Sequence, residues 1–237
     1  MGRFPNIAAD KAKTGAAKGK LYSMYARDIY DKAKKGGASP EANFALKQVI
    51  EKAKRDQVPA DIIKRALDKV NSGANESYDS LRYEVIGPNG STAIVDCLTD
   101  NVNRSVSDVR TAVNKAKCKM GAMNSVSYNY DNLAILSFKV DNEEDVIMAL
   151  LDEGIEVQDE EFNDGVLTIS VDPKDQAKMK NVVSNMYPNI EYLLDEVGMY
   201  PKDKVVLDGE DKDLFQRLLT LLDDVEDVKD VYHNVEL

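Results

Sequence analysis

Lys11, Lys13, Lys18 and Lys20 fall within residues 11–20, a stretch that contains no acid. Ammonium groups at that density suit the phosphate oxygens of a polyanion, which lysine meets as a point charge. The series runs on. Lys20, Arg27 and Lys34 are seven apart, so on a helix they share one side, and Lys35 adjoins them. Lys11, Lys13, Lys18, Lys20, Arg27, Lys34 and Lys35 are therefore the expected phosphate contacts. Arg104 and Arg110, pointing outward from a later helix, are candidates for a second contact surface. The plainer alternative is a solvated face whose lysines serve solubility alone.

Other chemistry is scarce. His233 is the single histidine and falls on an expected terminal strand, where a structural role fits. Cys97 and Cys118 form no CxxC pair and have no nearby histidine, so they read as reduced thiols with no zinc spacing. Asp159-Glu160-Glu161 with Asp164 could hold Mg²⁺ but reads as an exposed loop of acids. Gly87-Pro88-Asn89-Gly90 lacks the GK[ST] of a phosphate loop and does not lead into a helix. No GxSxG, HExxH or Cys–His arrangement is present. No catalytic site, metal or cofactor is expected.

Charge is segregated along the chain. Residues 1–77 carry twelve Lys and four Arg against six Asp and three Glu, a net of +7. Residues 78–237 carry fifteen basic against thirty-three acidic side chains, a net of −18, within a chain total of −11. A basic module joined to an acidic body suggests a polyanion partner at one end. The body would repel that polyanion over about 8–10 Å, so the basic end is expected to project or be held apart. Asp223, Asp224, Glu226 and Asp227 read as surface charge or as a docking patch for a basic partner. No apolar run approaches a membrane span and no secretory leader is visible, so a cytoplasmic protein without membrane contact is expected.

The elements that must position these residues follow from periodicity. Residues 5–20 have no apolar face and read as a mobile arm or weak helix. From Leu21 the spacing of Leu21, Met24/Tyr25, Ile29 and Ala33 predicts a helix ended by Gly36-Gly37. Ser39-Pro40-Glu41 predicts the start of a second helix, with its apolar stripe on Leu46, Val49 and Ile50. Pro59 starts a third, closed by Asn71-Ser72-Gly73. Next, "LRYEVIGPNGSTAIVDCL" predicts a hairpin. A helix capped by Asp100 or Asn101 follows, with Val102, Val106, Val109, Val113 and Ala116 inward, and then a turn and strand over 121–130. From Leu133 the pattern runs strand, helix, strand, helix, and a final helix and strand close the chain. The economical fold is α+β, with a three-helix bundle over 1–77 and two ferredoxin-like α/β sandwiches. One sandwich spans 78–131 plus 205–237, and the other, 132–204, is inserted in it.

Several stretches together resemble the YebC family. They are "MGRFPNIAADKAKTGAAKGKLYSMYARDIYDKAKKGG", "PEANFALKQVIEKAKRDQVPADIIKRALDK", "YEVIGPNGSTAIVDCLTDNVNRSVSDVR" and "DVYHNVEL". The opening, without "AGHSKW", is similar to the YeeN-type branch, and Phe4-Pro5-Asn6 stands where relatives carry a tryptophan. The resemblance implies a three-domain cytoplasmic protein and a probable DNA-binding transcriptional regulator. A related mitochondrial translational activator implies the alternative, a translation factor bound to ribosomal RNA or the ribosome. Lysine-rich composition suits the shape and phosphate recognition of RNA, whereas arginine reads bases better. A weaker reading is an acidic protein-interaction module. A non-enzymatic nucleic-acid-binding regulator of gene expression, with no dimer signature, is the expectation.

Overall fold

A computed structural model describes residues 15–236, with side chains from residue 18 onward. N-terminal helices precede two antiparallel four-stranded sheets. The described residues divide into two compact units, one of residues 129–203 and one of residues 15–128 with 204–236.

The larger unit begins with three helices, α1 (Gly15–Gly36), α2 (Phe44–Arg55) and α3 (Ala60–Asn71). Their apolar stripes meet in one core: Tyr25, Ile29 and Ala33 of α1, Leu46 and Ile50 of α2, Ile63 and Ala66 of α3. Gly37, at φ +92°, supplies the left-handed turn that ends α1. The expected start of α2 is corrected. Ser39-Pro40-Glu41 forms a turn, in which the Ser39 carbonyl accepts from Ala42 and Asn43 N–H. Asn43 is the cap, because its side chain satisfies both ends. Its Oδ1 accepts from Leu46 N–H (3.1 Å), and its Nδ2 donates to the carbonyls of Lys32 (2.9 Å) and Gly37 (2.8 Å).

The hairpin is β1 (Asp79–Ile86) and β2 (Thr92–Thr99), turned through Asn89 and Gly90 at positive φ. Next come α4 (Val102–Lys115), capped by Asn101, and the short β3 (Lys119–Met120). After residues 129–203 the chain returns through β8 (Val205–Val206), α7 (Gly209–Asp223), β9 (Val228–His233) and β10 (Val235–Glu236). The sheet order is β3-β1-β2-β9, with every pairing antiparallel, and β10 pairs parallel with β8. α4 and α7 cover one face, joining Val109, Val113, Phe215 and Leu218 to Val85, Val95 and Cys97. Val102 lies outside this stripe at 42% exposure, and Ser105 and Ala112 are buried instead.

The smaller unit runs β4 (Tyr130–Lys139), α5 (Glu143–Asp152), β5 (Val157–Asn163), β6 (Val166–Val171), α6 (Gln176–Met186) and β7 (Tyr192–Pro201). Its order β5-β6-β4-β7, antiparallel throughout, is the ferredoxin-like arrangement. Leu136, Phe138, Leu150, Ile169, Met179 and Val183 form the core under its two helices. The acids expected in a loop, Asp159-Glu160-Glu161, instead belong to β5 at the sheet edge. Charge on an edge strand deters pairing with another chain.

Candidate nucleic-acid interface

Lys11 and Lys13 lie outside the described residues, as does Phe4. Lys18, on the first turn of α1 with described side chains, is exposed. The other expected phosphate contacts have partners within the protein. Lys20 meets Asp223, its Nζ donating to the Asp223 carbonyl and lying 3.8 Å from the carboxylate. Burial lowers the Lys20 pKa despite the nearby acids Asp223 and Asp224. Arg27 donates to Asp227 Oδ1 (3.0 Å) and Glu226 Oε1 (3.1 Å), and its side chain is only 11% exposed. Lys34 donates to the Glu76 carbonyl and Asn75 Oδ1 (3.3 Å), and Lys35 pairs with Asp31 four residues earlier (2.9 Å).

The side of α1 carrying Lys20 and Arg27 is thus packed on the sandwich. The basic module does not stand clear of the acidic body: α1 is bound to it. The docking patch at Asp223–Asp227 takes α1 as a partner. Asp227, 2% exposed, is the centre of the contact. It also accepts from Arg104 Nη2 (2.9 Å to Oδ1, 3.0 Å to Oδ2) and Thr99 Oγ1 (2.9 Å). Two guanidiniums and a hydroxyl meet the requirement that a buried carboxylate be both paired and hydrogen-bonded. Arg104 further donates to Asp100 (2.7 Å), and hydrogen bonds to Asp227 and then Asp100 raise its pKa. Lys229 of β9 completes the contact against Asp28 of α1 (2.6 Å). Burial alone would lower the Lys229 pKa, but Asp28 and Asp230 raise it overall.

On the helices, Lys47 and Lys54 of α2 and Lys64 of α3 are exposed, as is Arg110 of α4. None of Lys47, Lys54 and Lys64 was named as a contact from the sequence. Their i,i+7 spacing on α2 was the available signal for Lys47 and Lys54.

The remaining chemistry-bearing residues are internal. His233 packs edge-on to Phe215 (5.5 Å), and burial lowers its pKa. Cys97 and Cys118 are buried free thiols, and burial pushes Cys97 up to about 12. Among the described residues, no His, Cys, Asp and Glu side chains cluster as a metal site, and no helix is long and apolar enough to cross a membrane.

A basic helical bundle docked on one α+β sandwich, with a second sandwich folded from residues 129–203, defines the class. Residues 2–73 match the TACO1/YebC N-terminal domain and residues 78–235 the TACO1/YebC second and third domains, so the chain belongs to the TACO1/YebC family. It is 44% identical over 238 residues to a "Probable transcriptional regulatory protein" of Marinobacter nauticus, covering 100% of this chain and 99% of that one. It is 42% identical to a protein of the same description from Alcanivorax borkumensis, covering 100% of both. The fold is also that of a conserved hypothetical protein of Aquifex aeolicus, with TM-score 0.79, 28% identity, and coverage of 99% of this chain and 97% of that one.

Proposed function

We propose that this chain is a non-enzymatic, cytoplasmic regulator of transcription that binds DNA through the outer side of its N-terminal module. Lys11, Lys13, Lys18, Lys47, Lys54 and Lys64 engage phosphates. Lys20 and Arg27 hold the module to the body. The observation that carries this reading is the division of cations within one module of net +7. The inward set is neutralised by Asp223, Glu226 and Asp227, while Lys18, Lys47, Lys54 and Lys64 remain exposed. Neutralising the acids nearest the module also weakens the repulsion that the body exerts on a phosphate backbone. The names of the bacterial relatives support transcription as the process.

The test is the salt dependence of binding to a labelled DNA duplex, between about 50 and 200 mM salt. Replacing Lys11, Lys13 and Lys18 together with alanine should lower the log–log slope by about 0.9 per lost contact. The Lys47→Ala/Lys54→Ala/Lys64→Ala variant should do likewise. Unchanged slopes in both variants would refute the assignment. Tighter binding to a structured RNA than to duplex at matched salt would move the function to the ribosome.

A further inference from the structure

A cleft of about 540 Å³ opens between α1, α3 and the start of α4. Its walls carry Tyr22, Tyr30, Tyr78, Arg65, Lys69 and Arg104. Cavities of about 300–1,000 Å³ accept small organic ligands. The aromatic floor is fixed. Tyr30 is buried, its hydroxyl donating to the Ala74 carbonyl and accepting from Glu76 N–H (3.2 Å). Tyr78 meets it edge-on at 6.0 Å, and the ammoniums of Lys34 and Lys69 lie 5.9 and 5.8 Å from the Tyr30 ring. The Tyr78 hydroxyl donates to Glu76 (2.9 Å), and burial, then that bond, pushes its pKa up to about 12. The phenol is therefore neutral at any working pH.

Three acids share the lining, and each already has a cation. Glu76 has Lys69, Asp100 has Arg104, and Glu226 has Arg27. Arg65 adds a fourth cation and pairs with Asp61 of its own helix, at 78% exposure. Exposed pairs of this kind bind weakly, so an incoming phosphate can share Arg65 and Lys69 at little loss. Asp227 also holds Arg27 and Arg104, so Arg65 and Lys69, each in an exposed pair, are the cations open to an anion. Aromatic rings beside Arg and Lys form a platform for a base and its phosphate.

We propose that the cleft seats one unstacked nucleotide of the nucleic-acid target, its base against Tyr78 and Tyr22 and its phosphate on Arg65 and Lys69. This rests on the nucleic-acid reading above and adds to it a preference for gapped or distorted duplex. The protein then recognises a local opening of the helix as well as its phosphates.

The chain contains no tryptophan. Tyr78→Trp therefore places a single reporter in the cleft, whose emission a stacked base quenches. The full-length variant is titrated with end-labelled duplex, with the same duplex carrying one unpaired nucleotide, and with adenosine monophosphate. Label anisotropy and tryptophan emission are read together. The DNA with the unpaired nucleotide should quench the reporter as anisotropy rises and bind about fivefold or more tighter than intact duplex. Arg65→Ala/Lys69→Ala should abolish that preference while leaving intact-duplex binding. Rising anisotropy with unquenched emission and no preference overturns the cleft and leaves the DNA-binding reading standing. Quenching by the mononucleotide without any anisotropy change overturns the DNA reading and keeps a nucleotide site. Silence in both overturns both. Wild-type chain cross-linked to thiothymidine at the unpaired position guards against a reporter that perturbs the site. Cross-links at Tyr22 or Tyr78 support the proposal, and cross-links confined to α2 refute it.

Discussion

The two sandwiches share a four-stranded antiparallel sheet under two helices, yet they are closed by different means. Residues 129–203 supply every strand and helix of one. The other is interrupted after β3 and resumes at β8, so α7 and β9 must find β1 and β2 from far along the chain. Their buried charges differ accordingly. In the continuous sandwich, Asp195 of β7 is 6% exposed and is held by Gln176 (3.0 Å) and Lys180 (2.8 Å) of the adjacent α6. In the split sandwich, Asp227 is held by Arg27, Arg104 and Thr99, from three elements remote in sequence. A local charge fixes a helix on its own strand. A remote one records that several distant elements have assembled together, and losing it has consequences across all of them.

The sharpest way to break this comparison is Asp227→Asn. It removes the buried carboxylate from Arg27 and leaves that guanidinium the exposed Glu226, and removing one partner of a buried pair costs up to about 3–5 kcal/mol. Urea unfolding should show that loss, and amide exchange should quicken in α1, α4 and β2 together. A loss below about 1 kcal/mol would mean that water reaches the guanidiniums and that the cluster does not hold α1 in place.

Asp195→Asn should have a smaller effect. The amide still accepts from Gln176. Lys180, 14% exposed and 5.4 Å from the Tyr192 ring, keeps an aromatic neighbour and can turn toward water. The expected cost is about 1–3 kcal/mol, with quickened exchange confined to α6 and β7. Spread into α1 or α4, or a cost equal to that of Asp227→Asn, would erase the distinction between local and remote charge.

The same distinction separates what the sequence disclosed from what it hid. Local patterns were legible. The stripes of α1, α2 and α3 gave the bundle, and Pro88-Asn89-Gly90 gave the hairpin, because period and turn chemistry act over a few residues. The start of α2 was misplaced because Ser39-Pro40-Glu41 carries a cap signature, and the deciding bonds run from Asn43 to Lys32 and Gly37. β5 was hidden because acids at Asp159, Glu160 and Glu161 mask a strand that pairs only at the sheet edge. The common side of Lys20 and Arg27 was read correctly, but the partners that give that side its role are some 200 positions away. Opposite charge in two segments was the one available signal, and sign alone does not establish contact. The cleft was hidden for the same reason. Tyr22, Lys69, Tyr78 and Arg104 share no period and meet only after the bundle docks.

Glu84 offers the finest test, because it holds the place where the split sandwich gives up its chain. Its carboxylate, 5% exposed on β1, accepts from the N–H groups of Asn124 (2.7 Å), Val126 and Ser127 (3.1 Å). Burial alone would raise its pKa, but these amides outweigh burial and hold it below the ordinary 4.5. A depressed carboxylate contributes stability that is present above 4.5 and is lost as pH falls through the folded value. His233 acts over a different window. Burial lowers its pKa, so its neutral form favours the fold above the ordinary 6.5, and that contribution declines as pH falls below it. Glu84→Gln should remove only the lower step, at a cost of about 1 kcal/mol near neutral pH. Exchange at Asn124, Val126 and Ser127, corrected for intrinsic rate, should quicken below pH 4.5 in the wild type and already be fast at neutral pH in the variant. The Asp164–Gly165 turn of the continuous sandwich, built on positive φ at both residues, should not respond to the substitution. Equal exchange in both proteins at all three amides would show that the exit from β3 is held by its backbone turn alone. In that case the split sandwich needs no more local support than the continuous one.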